Sequence, residues 1–170
     1  MIAFGVDPGL SGAIAVVETM ADGGVRLYVV DMPVVEVVRN AKTKREVSAA
    51  GVADVVAAFT AAHAGHARVA CVERVGAMPG QGVSSVFSFG RSAGIVEGVL
   101  AALKIAVTIT TPQAWQKAMA VRGGKDGSRA RAMEVFADRS HFFARKKDDG
   151  RADAALIAMH ALRMYSQRKE

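Results

Sequence analysis

Three β-rich runs, at residues 2–6, 13–18 and 25–31, follow one another with only turn-length gaps, whereas the next, Arg68–Glu73, is reached through a helical stretch at 47–62. This contrast constrains the fold more than any other feature. Short gaps such as Asp22-Gly23-Gly24 make hairpins, so the first three runs form an antiparallel meander. A helix between strands carries the chain over the sheet and returns it parallel. Val52, Val55, Val56 and Phe59 lie at the spacing of that helix, and Gly65 ends it. A long helix at 83–103 leads to a fifth strand, Ala106–Thr110, and a short helix follows at 112–119 with Pro112 in its first turn. Further helices are predicted at 128–137 and from 149 onward, separated by a polar loop at 138–149. Residues 33–46 read as a loop crossing the sheet edge, with Lys42, Lys44 and Arg45 solvated. The order βββαβαβα predicts an α/β fold, a five-stranded mixed sheet flanked by helices. With no internal repeat or linker, residues 1–170 read as a single domain.

Half the residues are hydrophobic, which excludes disorder as the default state. The net charge of +6 favours a polyanionic partner. Cys71 is the only cysteine, so an intrachain disulfide and a cysteine-based zinc site are both excluded, and a reducing compartment is expected. The longest apolar stretch, 93–109, contains Glu97 and Lys104, and Asp7 stands where a signal peptide would be apolar. The expectation is a cytoplasmic protein with no membrane segment.

The acids carry the chemistry. In the segment KKDDGRADAALIA (146–158), Asp149 and Asp153 are four residues apart and so share one helical face. Like charges at that spacing repel, and more so where water is excluded. Capping of the helix by acids at its start is the plainer account. Asp148 suits it, but Asp153 lies beyond the first turn, where no cap is needed. His160, two turns further on, reads as structural. Asp7 ends the first strand before Pro8-Gly9, sharing a face with the small Ala3 and Gly5, which leave room for a packed helix or a ligand. Glu73 ends the fourth strand in the same way. If those two strands are neighbours, Asp7, Glu73, Asp149 and Asp153 form an oxygen-rich site suited to Mg²⁺ or Mn²⁺.

The segments GVDPGLSGAIAV (5–16), VERVGAMPGQGVSSVFSFGRSAGIVEGVLAAL (72–103), TPQAW (111–115) and KKDDGRADAALIA together resemble the RuvC-type Holliday-junction resolvases. The similarity runs nearly the whole chain and is weakest at 17–67. It is nearest to the phage and prophage branch, whose loop after the glutamate resembles AMPGQG. The resemblance implies an RNase H-like fold and a homodimeric, metal-dependent endonuclease placing paired symmetric nicks across a four-way DNA junction. Asp7, Glu73 and Asp153 match the family's acidic positions. The fourth acid is commonly three residues before the last; here Gly150 fills that position, and Asp149 is assigned instead. Two Mg²⁺ ions about 3.5–4 Å apart, with Asp7 bridging them, would activate water and stabilise the leaving oxygen.

Basic residues are dense after 117, and phosphate-backbone contacts suit them. The resemblance implies that one or two basic residues act near the scissile phosphate, with Lys125 the first choice, followed by Lys117 and Arg129. The predicted DNA surface comprises Lys117, Arg122, Lys125, Arg129, Lys146 and Lys147, with Arg74, Gln81 and Arg91 nearer the glutamate. Met78 reads either as an apolar wedge at the junction centre or as part of a loop packed on a partner subunit. Phe87 and Phe89, two residues apart on a helix, cannot both face the core, which leaves one for a partner. Three rival readings remain, one of them a non-catalytic DNA-binding module, against which the presence of all four carboxylates argues. A nuclease of the same superfamily acting on forks, flaps or RNA-containing substrates would use the same acids. GVDPGLSGA also resembles the first phosphate loop of sugar-kinase and actin-like ATPases, but the chain lacks their second glycine-rich motif and their length.

Overall fold

The computed structural model describes residues 1–167 apart from Asn40, Met78 and Pro79, together with the backbone but not the side chain of Lys125. Strands β1 (Ile2–Asp7), β2 (Ala13–Thr19) and β3 (Val25–Asp31) form the expected antiparallel meander. A hairpin, β4 (Val34–Arg39) and β5 (Lys42–Val47), precedes helix α1 (Ala49–Ala62). Strand β6 (Arg68–Glu73) then pairs parallel to β1, and β7 (Ala106–Thr110) parallel to β6. The five-stranded sheet therefore runs β3-β2-β1-β6-β7. Asp7 and Glu73 end neighbouring strands on the same edge, as the mixed-sheet reading requires.

Period-two alternation sends each strand's side chains to two different cores. Ile2, Phe4, Val6, Ile14 and Val16 pack with α1 and with α2 (Val83–Ala102). Ala3, Ala15 and Val17 face α3 (Pro112–Ala118), α4 (Gly127–Val135) and α5 (Asp149–Gln167). The room beside Ala3 and Gly5 is filled by α5. A Cβ on Gly5 would lie 2.1 Å from the Ala158 nitrogen and 2.2 Å from the Ala154 oxygen, so the helix backbone rests on the strand.

Two segments differ from expectation. Residues 33–46 are a separate two-stranded ribbon rather than a loop, because the β-branched Val34, Val35, Val37 and Val38 suit strand pairing. The helix predicted from 47 begins at Ala49, with Val47 closing β5 and the Ser48 hydroxyl accepting the Gly51 N–H at 3.0 Å. The stretch 138–149 is not a polar loop either. It winds into 3-10 turns at Ala137–Phe143 and Lys146–Asp148, held by the burial of Phe143 and Asp148. Among the described residues, no helix is long and apolar enough to cross a membrane.

Candidate metal and nuclease site

At the end of β1, the Asp7 carboxylate accepts the Gly9 N–H at 3.1 Å, the Asx turn that Pro8-Gly9 suggested. The chain doubles back so tightly that a Cβ on Gly12 would sit 2.1 Å from the Asp7 carbonyl oxygen. The first turn of α5 docks on this bend. A Cβ on Gly150 would lie 2.4 Å from the Ser11 oxygen and 3.0 Å from Asp7 Oδ2. No side chain fits at position 150, which gives the four-residue spacing of Asp149 and Asp153 a steric reason. Burial pushes the Asp7 carboxyl above the usual carboxylate range, against the lowering effect of the Gly9 N–H.

Glu73 stands on the neighbouring strand. Its Oε2 accepts the indole N–H of Trp115 at 2.7 Å, and Trp115 is 0% exposed beneath α3. Burial raises the Glu73 carboxyl, the Trp115 hydrogen bond opposes that, and the Asp7 charge adds to it. Nothing in the TPQAW segment alone assigns Trp115 a role. Its signal was positional: β7 pairs Thr110 with Glu73, and the short helix bearing the chain's one tryptophan starts immediately afterwards.

Asp153 projects from the second turn of α5. Its pKa is pushed up to about 7, chiefly by burial, with the Ser128 hydrogen bond opposing and the charges of Asp7, Glu73 and Asp149 adding. One of its oxygens, Oδ1, is buried without a hydrogen-bond partner. Asp149, with a side chain 46% exposed, has its Oδ1 2.9 Å from Arg129 Nε. The two atoms are poorly aligned for a hydrogen bond, so the contact is one of opposite charges. Arg129 also reaches Asp126 at 2.5 Å and donates to the Phe143 carbonyl at 3.5 Å.

Asp148 is 2% exposed and closes the capping box of the 3-10 turn that precedes α5, rather than capping α5 itself. It accepts the Arg145 N–H at 2.8 Å and the Arg145 guanidinium, while Arg151 lies 3.7 Å away. Burial would raise its carboxyl, but the Arg145 hydrogen bonds and the charges of both arginines outweigh it and hold it low. Arg151 in turn clamps Asp31 with bonds of 2.5 and 2.6 Å, tying the start of α5 to the end of β3.

Asp7, Glu73 and Asp149 thus all act on Asp153, and Asp7 acts on Glu73. Among the described residues, however, no three His, Cys, Asp or Glu side chains are grouped as a ready metal-ligand set. The donor chemistry fits a hard divalent cation: buried carboxylates, one with an orphaned oxygen, and no sulfur. A cavity of about 270 Å³ lies elsewhere, lined by Arg122, Arg131 and Glu134 among others, and none of the four acids lines it.

The expected DNA contacts are spread more widely. Arg74, Gln81, Lys117, Arg122, Lys146 and Lys147 are exposed. Arg91 pairs with Glu46 of the hairpin. Met78 and the Lys125 side chain lie outside the described residues. Of the two phenylalanines, Phe87 is 70% exposed, while the Phe89 ring stands 3.7 Å from where a Cβ on Gly9 would be. His160 is half-buried, and burial lowers its pKa. Cys71 is buried, its thiol pushed up to about 12, which makes it inert.

No family model and no curated protein matches the chain. Solved structures do. T. thermophilus RuvC in complex with a Holliday junction substrate aligns with a TM-score of 0.61 and 16% identity, over 96% of each chain. A second structure of Thermus thermophilus RuvC gives 0.59 and 13% identity, over 97% of each. The yeast mitochondrial Holliday junction resolvase Ydc2 gives 0.56 and 18% identity, over 98% of this chain and 80% of the other. At these identities the likeness is one of fold. The mixed sheet and its flanking helices are RuvC-like and RNase H-like.

Proposed function

We propose that this chain is a structure-selective, divalent-metal-dependent endonuclease that resolves four-way DNA junctions by paired symmetric nicks. The observation that carries the reading is the gathering of Asp7, Glu73 and Asp153 at two neighbouring strand ends and one helix turn, partly shielded from water, with an orphaned carboxylate oxygen among them. The RuvC-like fold supports it, one neighbour having been solved with a junction substrate.

Asp7, Glu73, Asp149 and Asp153 would hold one or two Mg²⁺ or Mn²⁺ ions, which supply Lewis-acid stabilisation of phosphate charge and an activated water. The protein's own contribution is positional. Gly9 fixes Asp7, Trp115 fixes Glu73, and Arg129 restrains Asp149. Burial holds the Asp153 carboxyl up to about 7, so a bound cation would favour its ionised form. Exposed Arg74, Lys117, Arg122, Lys146 and Lys147 would contact the phosphate backbone, with Lys125 beside the scissile phosphate. Val83 (87% exposed) and Phe87 would meet a second copy of the chain through α2. A reducing cytoplasm suits the single buried cysteine. The loop AMPGQG supports placement in the phage and prophage branch.

Asp7→Asn and Asp153→Asn should each abolish junction cleavage while keeping junction binding in Ca²⁺ buffer. Full activity in either variant sinks the assignment. Cleavage of forks, flaps or RNA–DNA hybrids in preference to four-way junctions, measured side by side, would replace the substrate and keep the chemistry.

A further inference from the structure

We propose that the β4–β5 hairpin is a second nucleic-acid contact, in which Lys42 and Lys44 grip the phosphate backbone of duplex DNA. The inference rests on the nuclease reading above and adds a binding surface remote in sequence from the basic stretch after 117.

A two-stranded ribbon is marginally stable by itself, so what holds it and what it presents both matter. The hairpin pairs with none of the five main strands. It is fastened at its base, where Val47 is buried, the Ser48 N–H donates to the Pro33 carbonyl at 2.9 Å, and Glu46 pairs with Arg91 of α2. The same helix places Phe89 against the Asp7 bend, so α2 links the hairpin to the carboxylate site. Beyond that base the ribbon is largely exposed.

The register concentrates its charge. Arg39 stands opposite Lys42, and Val37 opposite Lys44, so the three cations share one face. Like charges directly opposite each other are destabilising. The acid on that face, Glu46, is already shared between Arg39 at 3.2 Å and Arg91. Among the described residues, Lys42 and Lys44 make no ion pair. Between 117 and 147 the situation differs: Arg129, Arg131, Arg139 and Arg145 each pair with an acid of this chain. Ala41, with φ 58°, closes the turn in a conformation that costs a non-glycine residue energy. A ribbon that holds repelling cations on an exposed face beside a strained turn is built for an external polyanion. A two-stranded ribbon also has the width of the DNA major groove.

The test is salt-dependent binding of a labelled four-way junction and of linear duplex, by fluorescence anisotropy from 50 to 200 mM salt in Ca²⁺ buffer. Lys42→Ala with Lys44→Ala should make the slope of log K against log salt shallower by about 2, since each phosphate contact contributes about 0.9. Affinity at 100 mM salt should fall roughly tenfold for both DNAs, and Lys42→Arg with Lys44→Arg should restore slope and affinity. Both side chains are exposed, so a melting temperature equal to that of the wild type confirms that the fold is intact. A wild-type protein that binds DNA, with an alanine variant of unchanged slope and affinity, overturns this inference alone. A wild-type protein that binds no DNA overturns the nuclease reading with it.

Discussion

Trp115 donates its indole N–H to Glu73 across 2.7 Å, joining a fully buried ring on α3 to the acid that ends β6. The bond orients one carboxylate oxygen and leaves the other directed by what binds the site. Trp115→Phe keeps the ring's bulk and deletes the donor. Hydrogen bonds to charged groups contribute about 1.5–3 kcal/mol, so the variant should melt several degrees lower. Losing the donor also removes the effect that lowers the Glu73 pKa against burial. The acid limb of the cleavage–pH profile should therefore move to higher pH. A lower melting temperature with an unmoved acid limb would make Trp115 a packing residue only.

Asp153 gives a pH dependence of opposite sign to ordinary acid denaturation. Its carboxyl holds a proton to about 7 in the folded chain, against 3.8 normally. Between those values the folded state binds more protons than the unfolded state, so stability falls as pH rises towards 7 and stays lower above it. Asp153→Asn should remove a penalty of at most about 4 kcal/mol at pH 8, raising the melting temperature by up to about 8–16 °C. At pH 5 less than half of that difference should remain, because the folded Asp153 is then neutral while the unfolded carboxyl is already ionised. Mg²⁺ should raise the melting temperature of the wild type at pH 8 and leave the variant unmoved. A variant that melts below the wild type at pH 8 contradicts the buried-charge account.

These two relationships mark how far the sequence could be read. The meander and the parallel crossover followed from period-two runs, hairpin turns and one intervening helix, all local signals. The pairing of β1 with β6 that sets Asp7 and Glu73 at neighbouring strand ends was only one of the arrangements they allowed. The hairpin at 34–47 escaped because its turn carries no glycine: Ala41 takes the left-handed conformation instead. Its anchor, Glu46 to Arg91, spans 45 residues and no local pattern announces it. The Trp115–Glu73 bond was hidden for the same reason, since the two residues meet only through the β6–β7 register. Helix geometry did separate Asp148 from Asp149, but not the partners that each would acquire.

Those partners separate the two acids by experiment. Asp148 is buried between Arg145 and Arg151, so Asp148→Ala strips a carboxylate from two arginines and unpins α5 from its preceding turn. A loss of about 2–3 kcal/mol is expected at pH 7. Because the folded state holds this carboxyl low, the contribution is present above the unfolded pKa of about 4 and fades as pH falls through the folded value. Asp149→Ala should behave in the reverse manner. Its half-exposed side chain contributes little to folding, and cleavage should fall on the order of tenfold or more if it helps to hold the metal. Denaturant melts and single-turnover cleavage of both variants check the contrast. An active, destabilised Asp149→Ala beside a stable, inactive Asp148→Ala would exchange their roles.

Glycine substitutions test whether contact between α5 and β1 sets the site. An alanine at position 5 would bring its Cβ within 2.2 Å of backbone atoms of Ala154 and Ala158, which no rotamer change relieves. The helix must lift from the strand, at a cost of at least about 3 kcal/mol, the upper end for overpacking. Because α5 also carries Asp149 and Asp153, the same displacement moves both acids relative to Asp7. Gly5→Ala should thus lose cleavage even below its melting temperature. Gly98→Ala is the counterpart: a helical glycine of α2 with open space around it, where alanine should stabilise by about 0.5–1 kcal/mol. Circular-dichroism melts of the two variants should shift in opposite directions, and a Gly5→Ala protein with wild-type stability and cleavage would show that α5 does not seat on β1 as described.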